Sequence, residues 1–374
     1  MTPSEAPAAA QPWVLQFCHG YDGPFLDCAR QYAALFQGTP YKVCTVYLTG
    51  APNAEVERGS ASDEVIFLGY DSKDVRGLKL GAMRRLRELA AGRGFRLCIA
   101  HRFKPIYIAL LATRLPVIGV HHAFGVYSRF MRRLFINRFR SRLLLLGVSN
   151  AVRDEMRAQL PGWEAQRIET LYNRIDIAAV QAEQVSRAAA RDFLGLPQDA
   201  WVVGNVGRLH PDKDQATLIR GFAQALPQLP AGSLLAIMGK GRLERSLKQL
   251  ADELGVAGQV RFLGQVPQGR RYFKAFDVFA LTSDHEPFGM VLLEALAAGV
   301  PLIGSDCGGG REVIEGLGGL FPLGDAAALA RELVARGQAD RPALERRLRE
   351  RFSDDAARAA FRALPLLRAW QING

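Results

Sequence analysis

Short apolar segments alternate with helical segments along most of the chain, and this alternation limits the possible folds more than any other feature. The first half contains the strand-like segments WVLQFCHG, YKVCTVYLTG, EVIFLGY, RLCIAHR, LPVIGVHH and RLLLLGVS. Helical segments such as FLDCARQYAALF and PIYIALLATR lie between them. Strands that are apolar throughout and separated by helices are typical of a parallel sheet with helices on both faces. We therefore predict an α/β fold.

The alternation restarts near residue 199, which indicates a second domain of the same kind. Its strand-like segments are AWVVGNVGRL, GSLLAIMGKG, QVRFLGQV and DVFALTS. A chain of 374 residues also exceeds what one hydrophobic core usually serves. We predict two doubly wound, Rossmann-like domains, 1–185 and 186–356, and a C-terminal helix, 357–374, that packs back on the first domain. We expect the domains to face each other across a cleft, with ligands at the carboxyl ends of the strands.

Composition excludes several classes of protein. The longest apolar stretches, such as IYIALLAT and LLLLGV, are far shorter than the ~18 residues that a membrane span needs. The segment MTPSEAPAAAQP has neither the basic region nor the apolar core of a secretory signal. The five cysteines are odd in number and form no CxxC motif. These features predict a cytoplasmic protein with reduced thiols and no zinc site.

The positive charge of the chain is concentrated in the first half. The net charge is +11. No acidic residue occurs between Glu88 and Asp154, and the same window holds twelve arginine and lysine residues. These charges exceed the whole net charge, so the rest of the chain is close to balanced. A local basic region of this kind indicates a specific anionic partner.

The sequence YSRFMRRLFINRFRSRLLLLG, 127–147, is here called the basic segment. On a helix its large apolar side chains would form a stripe beside a basic face, the pattern of a helix that lies on a membrane surface. The arginines of that face are Arg129, Arg132, Arg133, Arg138 and Arg140. The alternative is a solvated basic helix packed on its own sheet. We expect no nucleic-acid partner, because helix-turn-helix, zinc and RNA-recognition signatures are absent from the sequence.

Polar residues follow the strands of the second domain, where a ligand is expected. Arg208 and Lys213 share the loop that follows AWVVGNV. Two cations on a loop beside helix N-termini are suited to binding a diphosphate. The alternative is a pair of solvated charges on an exposed turn.

The stretch SDHEPFGMVLLEALAAGVP, 283–301, carries two glutamates beside a buried helix. Glu286 precedes a proline, which favours an extended backbone, and Gly289 would let a ligand approach the helix N-terminus. Glu294 follows inside the apolar helix. The two carboxylates could accept hydrogen bonds from ligand hydroxyls on either side of a charged linker. The alternative is that both serve the structure, one at the helix terminus and the other in a salt bridge.

Together these blocks resemble the retaining glycosyltransferases of family 4, which have the two-domain GT-B fold. The blocks that carry the resemblance are VGRLHPDKD, MGKG, VRFLGQV and FDVFALTSDHEPFGMVLLEALAAGVPLIGSDCGGGREVI. It is close over about 199–325 and looser through GVSNAVRDEM and LYNRID towards the N-terminus. No single block would be specific, whereas the set in this order and spacing is.

The resemblance implies a role for each matching residue. Arg208 and Lys213 would neutralise the donor diphosphate, Glu286 would bind hydroxyls of the transferred sugar, and Glu294 would bind the ribose. The full set of donor-binding residues implied in this way is Gly207, Arg208, Lys213, Gln265, Val266, Glu286, Phe288, Gly289, Met290, Val291 and Glu294. The first domain would bind the acceptor and the second the donor.

Histidines and glycines of the first domain complete the candidate site. His121 and His122 resemble a family histidine that touches the donor sugar, and the spacing leaves open which of them it is. Neighbours in a strand point to opposite faces, so one of the two should reach the ligand. Gly20 and Gly23 stand where the family has a glycine pair that contacts phosphate or acceptor. The chain departs from the family at Arg174, which replaces a glycine.

The resemblance implies transfer of a sugar with retention of configuration. The catalytic residues would be Glu286, His121, His122, Arg208 and Lys213. Without an aspartate-rich metal motif, we predict metal independence and no cofactor, with a nucleotide-diphosphate sugar, UDP-sugar first, as co-substrate. The acceptor would be a glycan or lipid-linked hydroxyl, with lipopolysaccharide core as the specific expectation. We also consider a peripheral place on the cytoplasmic face of the inner membrane.

Two other functions remain open from the sequence alone. A non-catalytic protein of the same fold could bind nucleotide sugars, and a basic protein could bind nucleic acid. The intact set of Arg208, Lys213, Glu286 and Glu294 argues against the first alternative. The helical spacing of the aromatic residues near the arginines argues against the second.

Overall fold

The computed structural model describes residues 11–71, 73–335 and 340–372. They form two compact units. Unit 1 contains the described residues up to Leu171 together with those from Ala357 onwards, and unit 2 runs from Tyr172 to Ala356. Each unit is built around one parallel sheet.

The sheet of unit 1 has seven strands in the described part of the chain. They are β1 (Trp13–Cys18), β2 (Lys42–Thr49), β3 (Glu64–Tyr70), β4 (Phe95–His101), β5 (Val117–His121), β6 (Leu143–Gly147) and β7 (Ile168–Thr170). Their order is β3-β2-β1-β4-β5-β6-β7, with parallel neighbours throughout. The connecting helices are α1 (Phe25–Ala33), α2 (Ala54–Gly59), α3 (Leu80–Ala91), α4 (Phe103–Ala112), α5 (Phe130–Arg138) and α6 (Asn150–Gln159).

Unit 2 repeats this plan with six strands. Its helices α7 (Ile177–Glu183) and α8 (Arg187–Leu194) come first. The strands are β8 (Val202–Val206), β9 (Leu234–Met238), β10 (Val260–Gly264), β11 (Val278–Leu281), β12 (Leu302–Ser305) and β13 (Gly319–Phe321), in the order β10-β9-β8-β11-β12-β13. The remaining helices are α9 (Gln215–Ala225), α10 (Glu244–Glu253), α11 (Met290–Ala297), α12 (Gly308–Ile314), α13 (Ala326–Ala335) and α14 (Arg341–Phe352).

The apolar strands are buried because helices cover both faces of each sheet, as the sequence predicted. In β6 all five residues are buried. In unit 2, Val203 of β8 and Ile303 of β12 pack in one core with Phe222 of α9 and Leu329 of α13. Burial of this kind supplies most of the free energy that stabilises such a fold.

The chain first leaves unit 1 and enters unit 2 between Leu171 and Tyr172, before α7 begins. The predicted boundary was at residue 185. Glu183 of α7 forms an ion pair with Arg270, 2.6 Å between Oε1 and Nη2. The backbone N–H of Val185 donates to the carbonyl of Arg271 at 3.1 Å. These contacts hold α7 in unit 2, a dependence on distant residues that the local sequence does not reveal.

From Ala357 the chain belongs to unit 1. The last described helices are α15 (Asp354–Arg362) and α16 (Pro365–Ala369). The ring of Phe361 packs edge-on against Phe36, with centroids 5.7 Å apart. The guanidinium of Arg358 donates to the carbonyl of Ala34 at 3.2 Å. The C-terminal segment thereby adds to the core of unit 1.

None of the five cysteines forms a disulfide. Among the helices that the structure describes, none is both long enough and apolar enough to cross a membrane.

Candidate functional site

The strand order of unit 2 creates a switch point between β8 and β11. The chain runs outward from β8 to one side of the sheet and from β11 to the other. Loops that leave such a point in opposite directions open a crevice at the carboxyl edge, where open α/β sheets bind ligands. Arg208 and Lys213 follow β8, and Glu286 follows β11. The fold therefore brings three predicted site residues to one edge.

Lys213 and Glu286 form an ion pair across this switch point. The ammonium nitrogen of Lys213 lies 2.7 Å from Oε2 of Glu286, and the exposed fractions of the two side chains are 18% and 10%. The hydroxyl of Ser283 donates to the same carboxylate oxygen at 3.2 Å. Because a poorly solvated charge needs compensation, each residue fixes the position of the other.

Backbone contacts join the two loops that carry this pair. The hydroxyl of Thr282 donates to the carbonyl of Lys213 at 2.9 Å, and the backbone N–H of Asp284 donates to the carbonyl of Asp212 at 3.1 Å. Within the sheet, the amide of Asn205 on β8 donates to the carbonyl of Ala280 on β11 at 2.8 Å. The ion pair thus rests on a connected scaffold.

Arg208 is much more exposed than Lys213. Its side chain has an exposed fraction of 71%, and its guanidinium meets the carboxylate of Asp212 at 3.3 Å. Burial alone would raise the pKa of Asp212, but a hydrogen bond with His210 and the charges of Lys213, His210 and Arg208 hold that pKa below its ordinary value. Asp212 is therefore anionic at neutral pH and keeps Arg208 at the rim of the crevice.

Glycines let the neighbouring strand-end loops pack backbone against backbone. Gly239 after β9 has φ +145, and a Cβ there would lie 1.8 Å from the carbonyl oxygen of Gly207, so no other residue fits. Gly207 donates to the carbonyl of Met238 at 2.9 Å, and Gly239 donates to that of Gly264 at 2.7 Å. These bonds bring the loop of Gly207 beside the segment that leads into Gln265 and Val266. Gln265 is exposed and Val266 half-buried.

The N-terminus of α11 lies directly after Glu286. Gly289 occupies the position before the helix with φ +90 and supplies no side-chain cap. The first N–H groups of a helix have no partner inside the helix, so they are available to an anion. Met290 and Val291 of this first turn are half-exposed. The approach to these N–H groups is therefore at least partly open.

The segment before α11 is held in place by a buried ring and by a contact with α12. Phe288 is buried, with 2% of its surface exposed. Gly309 of α12 donates to the carbonyl of Glu286 at 2.8 Å, and a Cβ on Gly309 would lie 2.2 Å from the carbonyl oxygen of Pro287. Glu294 is half-buried within α11. Glu286 is thus the more buried of the two predicted glutamates.

In unit 1, the adjacent histidines enter different environments. His121, the last residue of β5, is 1% exposed, and its Nε2 lies 2.9 Å from the hydroxyl of Tyr127. His122 has its Nε2 3.2 Å from Nδ1 of His101. Burial lowers the pKa of His121 to about 3 and that of His122 to about 4. Both rings are neutral at pH 7, and His122 is the less buried of the two.

The glycines of the first loop lie after β1. A Cβ on Gly20 would lie 2.8 Å from the hydroxyl oxygen of Thr49, and that hydroxyl donates to the carbonyl of His19 at 2.7 Å. Gly23 has φ +60 and open space around it. Close packing thus explains Gly20, and the left-handed backbone explains Gly23.

The basic segment contains a short helix instead of a continuous one. α5 ends at Arg138, and a 3₁₀ turn spans Arg140–Arg142 before β6 begins. The prediction of one apolar stripe is wrong, because Ile136 is buried while Phe130, Met131 and Leu134 are 64%, 68% and 53% exposed. The strongly exposed apolar surface of α5 therefore consists of the side chains of Phe130, Met131 and Leu134.

The arginines of the basic segment divide in the same way. Arg132 donates to the carbonyl of Val126 at 3.0 Å and lies over the ring of Phe103. Arg133 donates to the carbonyl of Tyr127 at 3.3 Å. Arg129, Arg138 and Arg140 are exposed. Some of these cations therefore stabilise the fold, and others remain on the surface.

Two partners of the predicted residues were missed from the sequence. Ser283 donates to Glu286, and its position directly after a strand end could have indicated it. Tyr127 holds His121, but it lies in a loop for which the sequence gives no pairing signal. Among the residues that the structure describes, no group of three or more histidine, cysteine or acidic side chains could hold a metal ion.

Two family models match the chain in adjacent regions. The model "Glycosyltransferase Family 4" matches residues 27–179, and "Glycosyl transferases group 1" matches residues 186–353. The first region lies mostly in unit 1 and the second wholly in unit 2. The candidate residues of unit 2 and the two histidines of unit 1 therefore fall inside a match, whereas Gly20 and Gly23 precede the first one.

Two curated relatives align with less than half of the chain. The lipopolysaccharide core biosynthesis glycosyltransferase LpsE of Rhizobium meliloti is 39% identical over 148 residues, which cover 39% of this chain and 42% of that protein. The D-inositol 3-phosphate glycosyltransferase of Streptomyces avermitilis is 39% identical over 174 residues, covering 43% and 37%. The matched part is thus less than half the length of either relative.

The structural comparison extends over nearly the whole chain. Anabaena Alr3699/HepE, solved in complex with UDP, superposes with a TM-score of 0.76 and 21% identity, covering 94% of this chain and 98% of that one. At this identity the likeness establishes the fold alone. It confirms the predicted GT-B fold. Because the two family models fit consecutive regions and the whole fold agrees, the chain belongs to the family 4 glycosyltransferases.

Proposed function

We propose that this protein transfers a sugar from a nucleotide-diphosphate donor to a hydroxyl group of a glycan or lipid-linked acceptor. The observation that carries the proposal is the Lys213–Glu286 ion pair at the switch point of unit 2, with Arg208 at the rim. In this proposal unit 2 binds the donor and unit 1 the acceptor.

The charges at the switch point suit cleavage of the donor. Breaking the bond between the anomeric carbon and the phosphate oxygen leaves negative charge on the diphosphate and positive charge on the sugar. The negative charge on the diphosphate is stabilised by Lys213, Arg208 and the N-terminus of α11. Groups that are already oriented towards developing charge lower the barrier most. When Lys213 turns to phosphate, Glu286 becomes available to sugar hydroxyls.

The remaining donor contacts follow from the same edge of the sheet. Gly207 would allow close approach of phosphate, and Gln265 and Val266 would lie beside the nucleobase. The segment Phe288–Val291 would bind sugar and phosphate oxygens through its backbone, and Glu294 would accept hydrogen bonds from the ribose. His121 or His122 would contact the donor sugar from unit 1, where Gly20 and Gly23 would contact phosphate or acceptor.

Retention of configuration and independence from metal belong to this proposal. The acceptor oxygen would attack the face of the sugar from which the diphosphate leaves, and the leaving phosphate oxygen would take the acceptor's proton. Lys213 and Arg208 provide the positive charge that a divalent cation provides in other transferases. No further cofactor is required.

The names of the relatives support a choice of donor and acceptor. UDP is bound by Anabaena Alr3699/HepE, and LpsE of Rhizobium meliloti acts in lipopolysaccharide core biosynthesis. We therefore propose a UDP-sugar as donor and a lipopolysaccharide core saccharide as acceptor, in the cytoplasm. The acceptor class is the less constrained of the two, since the second relative acts on D-inositol 3-phosphate.

Product analysis tests this reaction. UDP-sugars would be incubated with core oligosaccharide released from lipopolysaccharide, and the product's anomeric configuration determined by NMR in the presence of EDTA. We expect the configuration of the donor to be kept and the rate to be unaffected by EDTA. An inverted product would refute retention. Loss of transfer with EDTA and its recovery with magnesium would refute metal independence.

We also propose that unit 1 binds an anionic membrane surface through α5. Phe130, Met131 and Leu134 are exposed beside Arg129 and Arg138, a combination that favours binding to a negatively charged lipid surface. Apolar residues on a second element support this assignment. Leu78 and Leu80 are each 67% exposed.

Lys79, the residue between these two leucines, shows that the second element lies near α5. The ammonium of Lys79 lies 4.9 Å from the ring centre of Tyr107, whose ring packs at 4.8 Å against Phe135 of α5. The exposed apolar residues of α5 and the exposed pair Leu78 and Leu80 therefore flank one aromatic cluster. Both sets could reach the same lipid surface.

A non-catalytic protein that binds nucleotide sugars is the alternative function. It would bind UDP through the same unit 2 residues but would neither hydrolyse nor transfer the sugar. Turnover of a bound UDP-sugar distinguishes the two. The Lys213–Glu286 pair favours the enzyme, because nucleotide binding alone gives no reason for a carboxylate beside the phosphate-binding lysine.

A further inference from the structure

The sheet of unit 1 has a switch point of its own, between β1 and β4. These strands are parallel neighbours, with Phe17 opposite Ala100, and the chain leaves them towards opposite sides of the sheet. His19 follows β1 and Arg102 follows β4. By the rule that applies to unit 2, the crevice outside these two strand ends is a second candidate ligand site.

Arg102 occupies a backbone conformation that normally requires glycine. It has φ +74 and ψ 163 at the position before α4. A side chain in this region strains the backbone, and such strain is concentrated at functional sites. Arg102 is the residue where the chain leaves the switch point, and its guanidinium lies 5.0 Å from the ring centre of Phe25 at the start of α1.

Two lysines and a histidine surround Arg102. Burial and the charge of Lys104 lower the pKa of Lys79. Burial together with the charges of Arg102 and Lys104 lowers the pKa of His19 to about 4, against the opposing effect of Asp22. Lys104 therefore lies within electrostatic range of both Lys79 and His19, and Arg102 lies within range of His19.

No described acidic side chain forms an ion pair with Arg102, Lys104 or Lys79. In the same unit Arg93 pairs with Glu64 at 2.5 Å and Arg157 with Glu169 at 3.5 Å, whereas Arg102 is exposed and its guanidinium is accessible to a ligand. The N-terminus of α4 adds positive potential, since its first turn contains no acidic residue and no side chain caps it. Cations gathered at one edge of a sheet repel one another, and an anion that binds among them removes this repulsion.

We propose that Arg102, Lys104 and Lys79 bind an anionic group, phosphate or carboxylate, of the acceptor saccharide at the β1/β4 switch point of unit 1. This assignment rests on the proposed function, since it places the acceptor in unit 1. The planar guanidinium of Arg102 binds two oxygens of such a group, and the lysines act as point charges. Neutral His19 and the carboxylate of Asp22 are left for hydroxyl groups of the sugar.

A binding measurement with simple sugar phosphates tests this site. D-glucose 6-phosphate, D-glucuronate and D-glucose would be titrated into the full-length protein saturated with UDP, and binding measured by calorimetry and ligand-observed NMR. Because UDP occupies the donor site, binding there does not contribute. We expect the two anionic sugars to bind at least tenfold more tightly than D-glucose, and the tighter of the two identifies phosphate or carboxylate.

The informative variant is Arg102→Gly. It removes the charge and at the same time relieves the backbone strain, so the melting temperature should stay equal or rise while the affinity for the anionic sugar falls at least tenfold. Arg96→Ala is the matched control, because Arg96 is exposed near the start of β4, the strand that Arg102 follows. It should bind the anionic sugar like the wild type. Lys104→Gln should weaken binding without altering the fold.

Several results would overturn the proposal. Equal binding of charged and neutral sugars would do so, as would wild-type affinity in Arg102→Gly. Loss of binding to phosphatidylglycerol vesicles in Arg102→Gly, with sugar-phosphate binding unchanged, would show that the cations meet a membrane instead. Failure to bind UDP is a separate outcome that counts against the proposed function, while the comparison between sugars can still be made.

Discussion

Lys213 and Glu286 are 73 positions apart in the chain and 2.7 Å apart in the fold. The sequence marked both as site residues, since each follows a strand end. It could not show their contact, because the contact depends on how two loops leave β8 and β11 and on the hydroxyl of Ser283. If Lys213 binds the donor phosphate as proposed, that phosphate competes with Glu286 for its ammonium group.

Glu286→Gln tests the role of this carboxylate. The amide keeps the shape of the side chain but cannot respond to positive charge on the sugar, so turnover should fall about 100-fold or more. UDP affinity should change little. Steady-state transfer and calorimetric UDP binding are the measurements, with Glu253→Gln, an exposed glutamate of α10, as control. Unchanged turnover would assign Glu286 a structural role.

Replacement of Glu294 should have a different effect from replacement of Glu286. If it binds the ribose, Glu294→Ala should weaken UDP binding while the chemistry of bound donor is preserved. The sequence identified both glutamates through one motif, and the structure adds that Glu286 is buried and Glu294 half-buried.

His121 leads to a prediction about acid stability. Its pKa is about 3 in the folded protein, lowered by burial from the ordinary value of 6.5. Below pH 6.5 the unfolded chain therefore binds a proton that the folded protein does not, so stability is lost as the pH falls from about 6.5 towards 3. One such group contributes up to about 1.4 kcal/mol per pH unit.

Replacing this histidine should reduce the acid sensitivity. His121→Gln keeps a group that can bond to Tyr127 and removes the titration. We expect its stability, measured by urea unfolding, to fall less than that of the wild type between pH 6.5 and pH 5. Equal losses in the two proteins would show that the buried ring is not responsible.

At the scale of elements, α5 shows where sequence patterns mislead. The apolar and basic residues before Leu143 fit one helix, yet α5 ends at Arg138 and a 3₁₀ turn follows it. The leucines after the turn, predicted as the strand RLLLLGVS, pair with β5 in the sheet, Leu143 opposite Val117. The strands themselves were predictable, because continuous apolar runs between helices have few other solutions.

The exposed part of α5 leads to a membrane prediction. Replacing Phe130, Met131 and Leu134 with serine removes the outward apolar side chains and keeps every arginine. Flotation with phosphatidylglycerol vesicles should recover the wild type in the vesicle fraction and much less of the triple variant. Leu254→Ser combined with Leu323→Ser, at exposed sites of unit 2, is the control. Equal and negligible flotation of all three proteins would refute the membrane proposal.

At the scale of the whole molecule, two α/β units with the same strand plan account for the positions of the candidate residues. The repeated rhythm in the sequence was enough to predict two such units. It was not enough to place the passage between them, because α7 and α8 look like a linker and are held in unit 2 by residues such as Arg270 and Asp277. Shared topology also explains why each unit has a switch point lined by cations.

The central claim is that unit 2 binds a nucleotide-diphosphate sugar at the Lys213–Glu286 pair. Thermal shift with UDP-, GDP- and ADP-sugars in the presence of EDTA tests it most directly, since a ligand that binds the folded state raises the melting temperature. We predict a rise with a UDP-sugar in the wild type and little or none in Lys213→Ala. No rise with any of these donors, or an undiminished rise in Lys213→Ala, would contradict the account.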